Sequence, residues 1–319
     1  MLYSVVAADA FSAQRQFLWD LCYRATGTST DADRLLRDCF AGAVERPLAQ
    51  RRPSIGVYVD RAADWKPLLT RSAAILAMEA LRHRKHRNYI GCWLPSPVET
   101  GAGASRAPRS STRLRGPRYD AVESASMAFL VALEALDPRE RLTFLMCDAF
   151  GAEPRDAAAT LELRSAAARS TLQQARRKMA AYDSTHVAPT ADVQARTADV
   201  LRHCLSWLQG HDAGHLEKML APDARLCFDA AGEFVAPHAP ISGPARIARV
   251  LVNFAEGIQP IHFGFRMLNG MPAALGTSLG RPRWARSFVF RIEMRGDRVA
   301  EVQAIMASAK LTAVRFDPF

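Results

Sequence analysis

Helical spacing of apolar residues dominates the first 180 positions of the chain. Between residues 11 and 50 these residues recur at steps of three and four, and a break from Gly27 to Asp31 divides the run, which predicts a helical hairpin. A further helix is predicted from about Trp65 to His86, because Leu and Ala residues line one face. The basic run RHRKHR closes it, as is favourable at a helix C-terminus.

The clearest helical signals come from residues 120–182. An apolar stripe leads into the tetrapeptide DPRE, where Asp137 can cap a helix, Pro138 fits the first helical position and Glu140 can reach back to the cap. A new apolar face follows and ends at Phe150 and Gly151. This second segment is therefore predicted to be a separate all-α module.

Beyond about residue 188, helix-like stretches alternate with strand-like runs. Ser287–Met294, a Gly-Asp turn and Val299–Met306 predict a β-hairpin, so this half is α+β. The stretch from Thr100 to Arg118 is rich in Gly, Pro, Ser and Arg and nearly free of apolar residues, which predicts a basic linker. The predicted fold is multidomain: an all-α module at 9–95, a basic flexible linker at 96–119, an all-α helix-turn-helix module at 120–182 and an α+β domain at 188–319.

The charge balance suggests a polyanionic partner. The formal net charge is +10, and each phosphate that Lys or Arg neutralises releases condensed counterions. Nucleic acid is therefore the expected partner. No apolar run reaches the ~18 residues that a membrane span needs, and no basic stretch with a long apolar core opens the chain, so we expect a cytoplasmic protein and no membrane partner.

Two short helices, at 154–161 and 165–180, are separated by three residues and match a helix-turn-helix. Ala168, Leu172, Ala175 and Met179 would pack inward. Such a helix suits DNA, because Arg reads guanine and phosphates and Gln reads adenine. An ordinary amphipathic pair with a solvated basic face is the alternative. The predicted DNA-binding residues here are Arg164, Ser165, Arg169, Gln173, Arg176, Arg177 and Lys178.

A second basic patch and an acidic patch lie in the first module. Tyr89 and Trp93 follow the RHRKHR run and could stack on an unpaired base, which adds Arg82, Arg84, Lys85 and Arg87 to the predicted DNA-binding residues. A solvated helix end is the alternative. The first hairpin carries acids that could pair with a basic protein surface or simply favour a helix N-terminus, namely Asp31, Asp33 and Asp38.

The chain shows no recognisable catalytic or metal-binding motif. Its six cysteines are scattered singly without a CxxC pair, so we expect most to be buried and inert and predict neither metal nor cofactor. Isolated polar residues in the α+β half give only scattered candidates for acid/base chemistry, so we predict no enzyme. These are Asp212, Asp229, His238, His262 and Arg286.

Several blocks of the chain resemble one bacterial family. FLWDLCYRATGTSTDADRLLRDCF, YIGCWLPSPVE, ESASMAFLVALEALDPRERLTFLMCDAFG and RSAAARSTLQQARRKM are similar to extracytoplasmic-function (ECF) sigma factors of the subgroup with a C-terminal SnoaL-like domain. FDAAGEFVAPHAPISGPARIARVLV resembles the loop, strand and helix of that domain. The resemblance implies a region 2-like module, a region 4-like module and a cone-shaped α+β domain.

The resemblance also implies partners and site residues. RNA polymerase core would bind through its β′ clamp and β flap, with Asp31, Asp33 and Asp38 matching acidic polymerase-contacting positions, and promoter DNA would bind the second module. Asp229 and Gly232 match the regulatory loop of the SnoaL-like domain, where a small ligand is a further candidate partner.

The chain departs from the family at several positions. Arg34 and Arg37 replace an acid and a Gln, and no aromatic residue follows soon after Phe40. Leu163 replaces the Gly of the helix-turn-helix turn, and Ala230, Ala231 and Glu233 replace two glycines and a lysine in the loop. The departures put the promoter-melting contacts and the loop's role in question.

The sequence therefore predicts an alternative sigma factor that binds core polymerase, directs promoter-specific initiation and is regulated by its C-terminal domain. Two alternatives stay open. One is a DNA-binding regulator that does not engage polymerase. The other is a small-molecule-binding or enzymatic protein built on the cone fold, which would need a pocket with convergent polar groups.

Overall fold

The computed structural model describes residues 2–45, 62–84, 89–100, 118–185, 187–279 and 282–317. It contains two compact units. The helical unit consists of Met1–Arg84 and Pro108–His186, and the mixed unit consists of Lys85–Ala107 and Val187–Phe319. Within the described ranges, no helix combines the length and the apolar character that crossing a membrane requires.

The described helices of the helical unit follow the predicted apolar periodicity. They are α1 (Leu2–Thr26), α2 (Ser29–Glu45), α3 (Ala62–His83), α4 (Met127–Ala132), α5 (Pro138–Phe144), α6 (Pro154–Thr160) and α7 (Ser165–Thr185). Short 3-10 turns flank α4, and a π-helical turn, Leu145–Ala149, continues α5. The capping box is confirmed, because the Asp137 carboxylate accepts from the Arg139 and Glu140 amides and Glu140 accepts from the Asp137 amide, each at 2.9 Å.

The two predicted all-α modules lie in one compact unit, which the sequence did not predict. Largely buried charges join them. The Glu134 carboxylate accepts hydrogen bonds from Arg141 at 3.0 Å and from Arg84 at 3.2 Å. The same two guanidiniums donate to the carbonyls of Ala25 and Thr26 in the last turn of α1, at 2.9 and 3.0 Å. A helix C-terminus leaves these carbonyls unsatisfied and carries negative partial charge, so the arginines cap α1 and balance its dipole.

The mixed unit is α+β, as predicted. Its helices are α8 (Ala191–Gln209), α9 (Ala213–Met219) and α10 (Pro244–Ile258), and its strands are β1 (Leu220–Asp229), β2 (Ile241–Ser242), β3 (Ile261–Leu268), β4 (Met271–Ser278), β5 (Ser287–Arg295) and β6 (Arg298–Ile305). The strand order is β2-β1-β6-β5-β4-β3. Only β1 and β6 pair in parallel among the described strands.

The predicted C-terminal hairpin is confirmed. Strands β5 and β6 pair antiparallel down to Arg295 and Arg298, and Gly296 takes φ 60° in the two-residue turn, a conformation that favours glycine. One face of the sheet packs against α8–α10, and aromatic rings fill the space between them, with Phe254 in contact with Phe228 and Phe288 at centroid distances of 5.2 and 5.7 Å.

The segment 89–100 belongs to the mixed unit, although we predicted that the first module extended to residue 95 and that a flexible linker began at 96. It contacts strand β1 and the edge strand β3. The Cys92 amide donates to the Phe228 carbonyl at 3.3 Å, and the Thr100 amide donates to the Met267 carbonyl at 2.8 Å. Leu94 to Val98 are buried. The prolines and apolar residues of WLPSPV therefore pack as part of this unit, and the basic stretch 101–117 lies outside the described residues.

Candidate nucleic-acid interface

The predicted helix-turn-helix is formed by α6 and α7. Its inward positions are confirmed, since Ala168, Leu172, Ala175 and Met179 are at most 5% exposed. Tyr182 extends this buried stripe, because α7 continues to Thr185, beyond the predicted end at residue 180. The long amphipathic helix is thus fixed along one side and open along the other.

The turn between α6 and α7 reaches a left-handed backbone conformation without a glycine. Glu162, and not Leu163, takes the left-handed conformation, with φ 55°. The Leu163 amide donates to the Ala158 carbonyl at 2.9 Å, which closes the end of α6. The exposed Glu162 carboxylate pairs with Arg71 of α3. A non-glycine residue in this conformation costs about 1 kcal/mol, a modest strain that the surrounding contacts hold.

The exposed side of α7 matches part of the predicted DNA-binding set. Arg164 and Ser165 begin the helix, and Arg169, Gln173 and Arg177 follow along it; all five side chains are exposed. Among the described residues, none of the five has an ion-pair or side-chain hydrogen-bond partner. We call these five residues the α7 face. It presents three guanidiniums, a carboxamide and a hydroxyl to solvent, which is the chemistry that reads base edges and phosphates.

Arg176 and Lys178 are held by buried acids instead. Arg176 forms a two-pronged ion pair with Asp148 of the π-helical turn, at 2.9 and 2.6 Å, and Asp148 is buried. The hydrogen bonds that Arg176 donates to Asp148 raise the pKa of Arg176 above its ordinary value. Lys178 pairs with the buried Glu140 of the capping box at 2.6 Å. These two cations fasten α7 to the preceding helices, and their contact with DNA stays a prediction.

The second basic patch is only partly described, since Lys85 and Arg87 lie outside the described residues. Arg82 is exposed. The side chain of Arg84 is 14% exposed and its guanidinium is paired with Glu134, so this contact does not support the predicted role of Arg84 in DNA binding.

The predicted polymerase-contacting acids all lie on α2. Asp31 pairs with Arg34 at 2.9 Å, and Asp38 pairs with the same guanidinium at 3.5 Å. Asp33 accepts a hydrogen bond from the Trp19 indole at 2.9 Å. With Arg34 and Arg37 on the same helix, three carboxylates face two guanidiniums, which leaves a single formal negative charge. Arg34 and Arg37 therefore weaken this acidic patch.

The predicted loop residue Asp229 is a buried anchor. It is 0% exposed at the end of β1, and its carboxylate accepts from the Leu94 amide at 2.7 Å, from the Tyr89 hydroxyl and from the Lys310 ammonium. The Lys310 ammonium also lies over the rings of Tyr89 and Trp93, at 4.6 and 4.7 Å. These aromatic rings therefore enclose a cation, which differs from the base-stacking role that we predicted for them.

The other predicted loop residue, Gly232, lies in the turn after β1. It is exposed with φ 76°, and a Cβ there would come within 3.0 Å of the Ile90 side chain. The glycine thus allows both the turn and the close approach of the segment 89–100. No sequence pattern pointed to Lys310, because it is a single lysine that lies 81 residues from its partner Asp229.

The mixed unit also has an open cavity of about 650 Å³. Apolar and aromatic side chains such as Phe234, Trp284 and Phe316 form part of its wall, with Arg283 and Arg286 beside them. Of the five acid/base candidates from the sequence, only Arg286 lines it. Within the described residues, no group of three His, Cys, Asp or Glu side chains is arranged to hold a metal ion.

Comparisons with known proteins agree with the helix-turn-helix geometry. Residues 126–179 match the family described as "Sigma-70, region 4". The chain is 26% identical to the ECF RNA polymerase sigma factor SigJ of Mycobacterium tuberculosis over 83% of this chain and 78% of that protein. It is 23% identical to the probable ECF RNA polymerase sigma factor SigI of the same species over 53% of each chain.

A solved structure has the same fold. The crystal structure of M. tuberculosis SigJ aligns with a TM-score of 0.67 and 22% identity, over 97% of this chain and all of that one. The match first defines residues 126–179, which include the helix-turn-helix, as a sigma-70 region 4 domain. The similarity to SigJ then makes it a homologue of the ECF sigma factors, with an α+β domain after the helical unit.

Proposed function

We propose that the chain is an alternative sigma factor of the ECF type, which binds RNA polymerase core and directs promoter-specific initiation. The observation that carries this proposal is the coincidence of the region 4 match with the α7 face. A recognition helix needs donors that no other group in the protein occupies, and the α7 face offers them. A DNA-binding regulator without polymerase is less favoured, because the similarity to SigJ extends over most of the chain.

Within this proposal, three groups of residues on α7 have different roles. Arg169 and Gln173 read base edges, while Arg164, Ser165 and Arg177 contact the backbone. Arg176 and Lys178 set the angle of α7 through Asp148 and Glu140. The β flap would bind the region 4 domain, and the β′ clamp would bind α2 through Asp31, Asp33 and Asp38. Arg82, Lys85 and Arg87 would lie near the separated strands, close to the junction with the segment 89–100.

The recognition role is tested by binding measurements on the matched promoter. Arg169→Ala or Gln173→Ala should each cost about 1–3 kcal/mol there, a loss of about 5- to 150-fold, and should relax discrimination at one base position. Arg177→Ala should weaken all sequences alike and lower the salt dependence of log K by about one phosphate contact.

Arg155→Ala is the matched control for these variants. Its side chain is 76% exposed on α6, outside the α7 face. We expect it to keep the affinity and the base preference of the wild type within about twofold, since the exposed ion pairs of Arg155 with Glu153 and Asp156 contribute little. Unchanged footprints for Arg169→Ala and Gln173→Ala would remove the assignment of the recognition helix.

The mixed unit would regulate initiation through Asp229 and Gly232, which hold the segment 89–100. Deletion of residues 188–319 should then change promoter-dependent transcription in a reconstituted assay. If the truncated chain still bound core polymerase and supported the same transcription as the intact one, the domain would have no regulatory role in initiation.

A small anionic ligand is a second element of this proposal. Arg283 and Arg286 have no side-chain partner among the described residues, and they lie beside the aromatic side chains that form part of the cavity wall. A carboxylate on an apolar body suits that combination. Calorimetric titration with 1-naphthoate should show binding that Arg286→Ala weakens by at least fivefold; equal binding by the variant would exclude this site.

A further inference from the structure

Two cysteines that lie far apart in the sequence are neighbours within the mixed unit. Cys227 is on β1 and is 5% exposed, and Cys92 is on the segment 89–100 and is half-buried. The Cys92 amide donates to the carbonyl of Phe228, the residue after Cys227, at 3.3 Å, and this backbone hydrogen bond places Cys92 beside the end of β1 where Cys227 lies, with the two side chains close enough to influence each other's ionisation. The fold therefore pairs a partly accessible thiol with a buried one.

The surroundings of the pair make the two thiols chemically different. The hydrogen bond from the Cys227 thiol lowers the pKa of Cys92 to about 7, with help from a backbone hydrogen bond at Phe228 and the charge of Arg225, while burial and Asp229 oppose this shift. The same hydrogen bond, followed by burial and the nearby Glu301 carboxylate, raises the pKa of Cys227. Cys92 ionises first, and the thiolate is the nucleophilic form of cysteine.

The four other cysteines have none of these properties. Cys22, Cys39, Cys147 and Cys204 are buried, and burial raises the pKa of each thiol. Buried neutral thiols react slowly with oxidants and alkylating agents. The chain thus contains its own internal controls for a reaction at Cys92.

We propose that Cys92 and Cys227 form an oxidisable pair that hydrogen peroxide converts into a disulfide, fastening the segment 89–100 to strand β1. The Cys92 thiolate attacks one peroxide oxygen, the O–O bond breaks and the leaving hydroxide takes a proton to become water. Cys92 is then a sulfenic acid. The Cys227 sulfur attacks the Cys92 sulfur, the S–O bond breaks, and the second hydroxide leaves as water with the Cys227 proton.

The electrons balance in this sequence. Two thiols are oxidised to one disulfide, and one peroxide is reduced to two waters. The disulfide needs only a local movement of the two side chains, because the Cys92 amide, Asp229 and Lys310 already hold the segment against the end of β1. The consequence is a change from a reversible attachment to a covalent one. This inference concerns the mixed unit alone and does not rest on the proposed role in transcription.

The test uses the full-length reduced protein and hydrogen peroxide as the oxidant. After brief treatment with about one equivalent, remaining thiols are alkylated and the protein is digested without reductant for mass spectrometry. We expect one cross-linked peptide pair that joins Cys92 to Cys227, while the other four cysteines are recovered alkylated. Addition of dithiothreitol should separate the pair. Before oxidation, iodoacetamide in the native state should label Cys92 at least tenfold faster than any other cysteine.

Three variants make the test specific. Cys227→Ser should stop the reaction at Cys92, where dimedone traps the sulfenic acid, and Cys92→Ser should abolish the cross-link. Cys147→Ala, which removes one of the buried thiols, should leave the cross-link intact. Oxidation that leaves Cys92 and Cys227 both alkylated, or that links either to another cysteine, would overturn the proposal. So would conversion of Cys92 directly to sulfinic acid while Cys227 is present.

Discussion

The partly buried carboxylate of Glu134 should account for a large part of the stability of the helical unit. Its side chain is 24% exposed, and it is the shared partner of Arg84 and Arg141, whose side chains are 14% and 4% exposed. Glu134→Gln keeps the size of the side chain and an acceptor oxygen but removes the charge. The two guanidiniums beside the end of α1 then lose the negative charge that they share.

The expected cost lies between two limits. Removing one partner of a fully buried ion pair costs about 3–5 kcal/mol, and an exposed pair is worth about 0–1 kcal/mol. Because Glu134 retains some exposure, we expect about 2–3 kcal/mol. Hydrogen exchange of the α1 and α5 amides, followed by mass spectrometry, should therefore accelerate by about 30- to 150-fold where exchange follows the opening equilibrium.

Glu153→Gln provides the matched control for this measurement. Glu153 pairs with Arg155 at 3.3 Å, and their side chains are 49% and 76% exposed. We expect exchange within about twofold of the wild type, because an exposed pair of this kind contributes little. If Glu134→Gln behaved like this control, the buried charges would not be what joins the two predicted modules, and that explanation of the compact unit would be wrong.

Three further substitutions have clear expected outcomes. Asp229→Asn should remove the countercharge of the buried Lys310 ammonium and lower the stability of the mixed unit by about 3–5 kcal/mol. Limited proteolysis within 89–100 should then be faster, and adding Lys310→Met should recover part of the loss. Unchanged cleavage would contradict the role of Asp229 in holding this segment. Glu162→Gly should relieve the left-handed backbone and raise stability by up to about 1 kcal/mol in thermal melts, and a clear loss would argue against that strain. Asp148→Asn should weaken the hold on Arg176 by about 1.5–3 kcal/mol, seen as faster exchange in the C-terminal half of α7, whereas equal exchange would remove its positioning role.

Local signals were sufficient to predict most of the secondary structure. The capping box at Asp137 and the turn at Gly296 are short-range features, so their residue types alone identify them. The same holds for the inward stripe of α7, which depends only on helical periodicity. The partners of single charged residues could not be predicted in this way.

Each missed feature depends on a partner far along the chain. In the sequence, Glu134 looks like a surface acid, because Arg84 contacts it only in the folded chain. Lys310 likewise belongs to no sequence pattern, since its partner Asp229 lies 81 residues earlier. Arg176 and Lys178 look like DNA-binding residues because nothing in their own helix reveals the buried acids opposite. The contact between Cys92 and Cys227 likewise arises only when WLPSP packs on the sheet.

In the proposed function, this chain recruits RNA polymerase core and selects promoters through the α7 face. Run-off transcription with purified core polymerase on a genomic promoter library tests both parts together. We expect transcripts from a restricted set of promoters that require both the chain and the core enzyme, and that Arg169→Ala reduces while core binding persists. A chain that neither co-sediments with core polymerase nor binds DNA in a salt-dependent manner would contradict the claim.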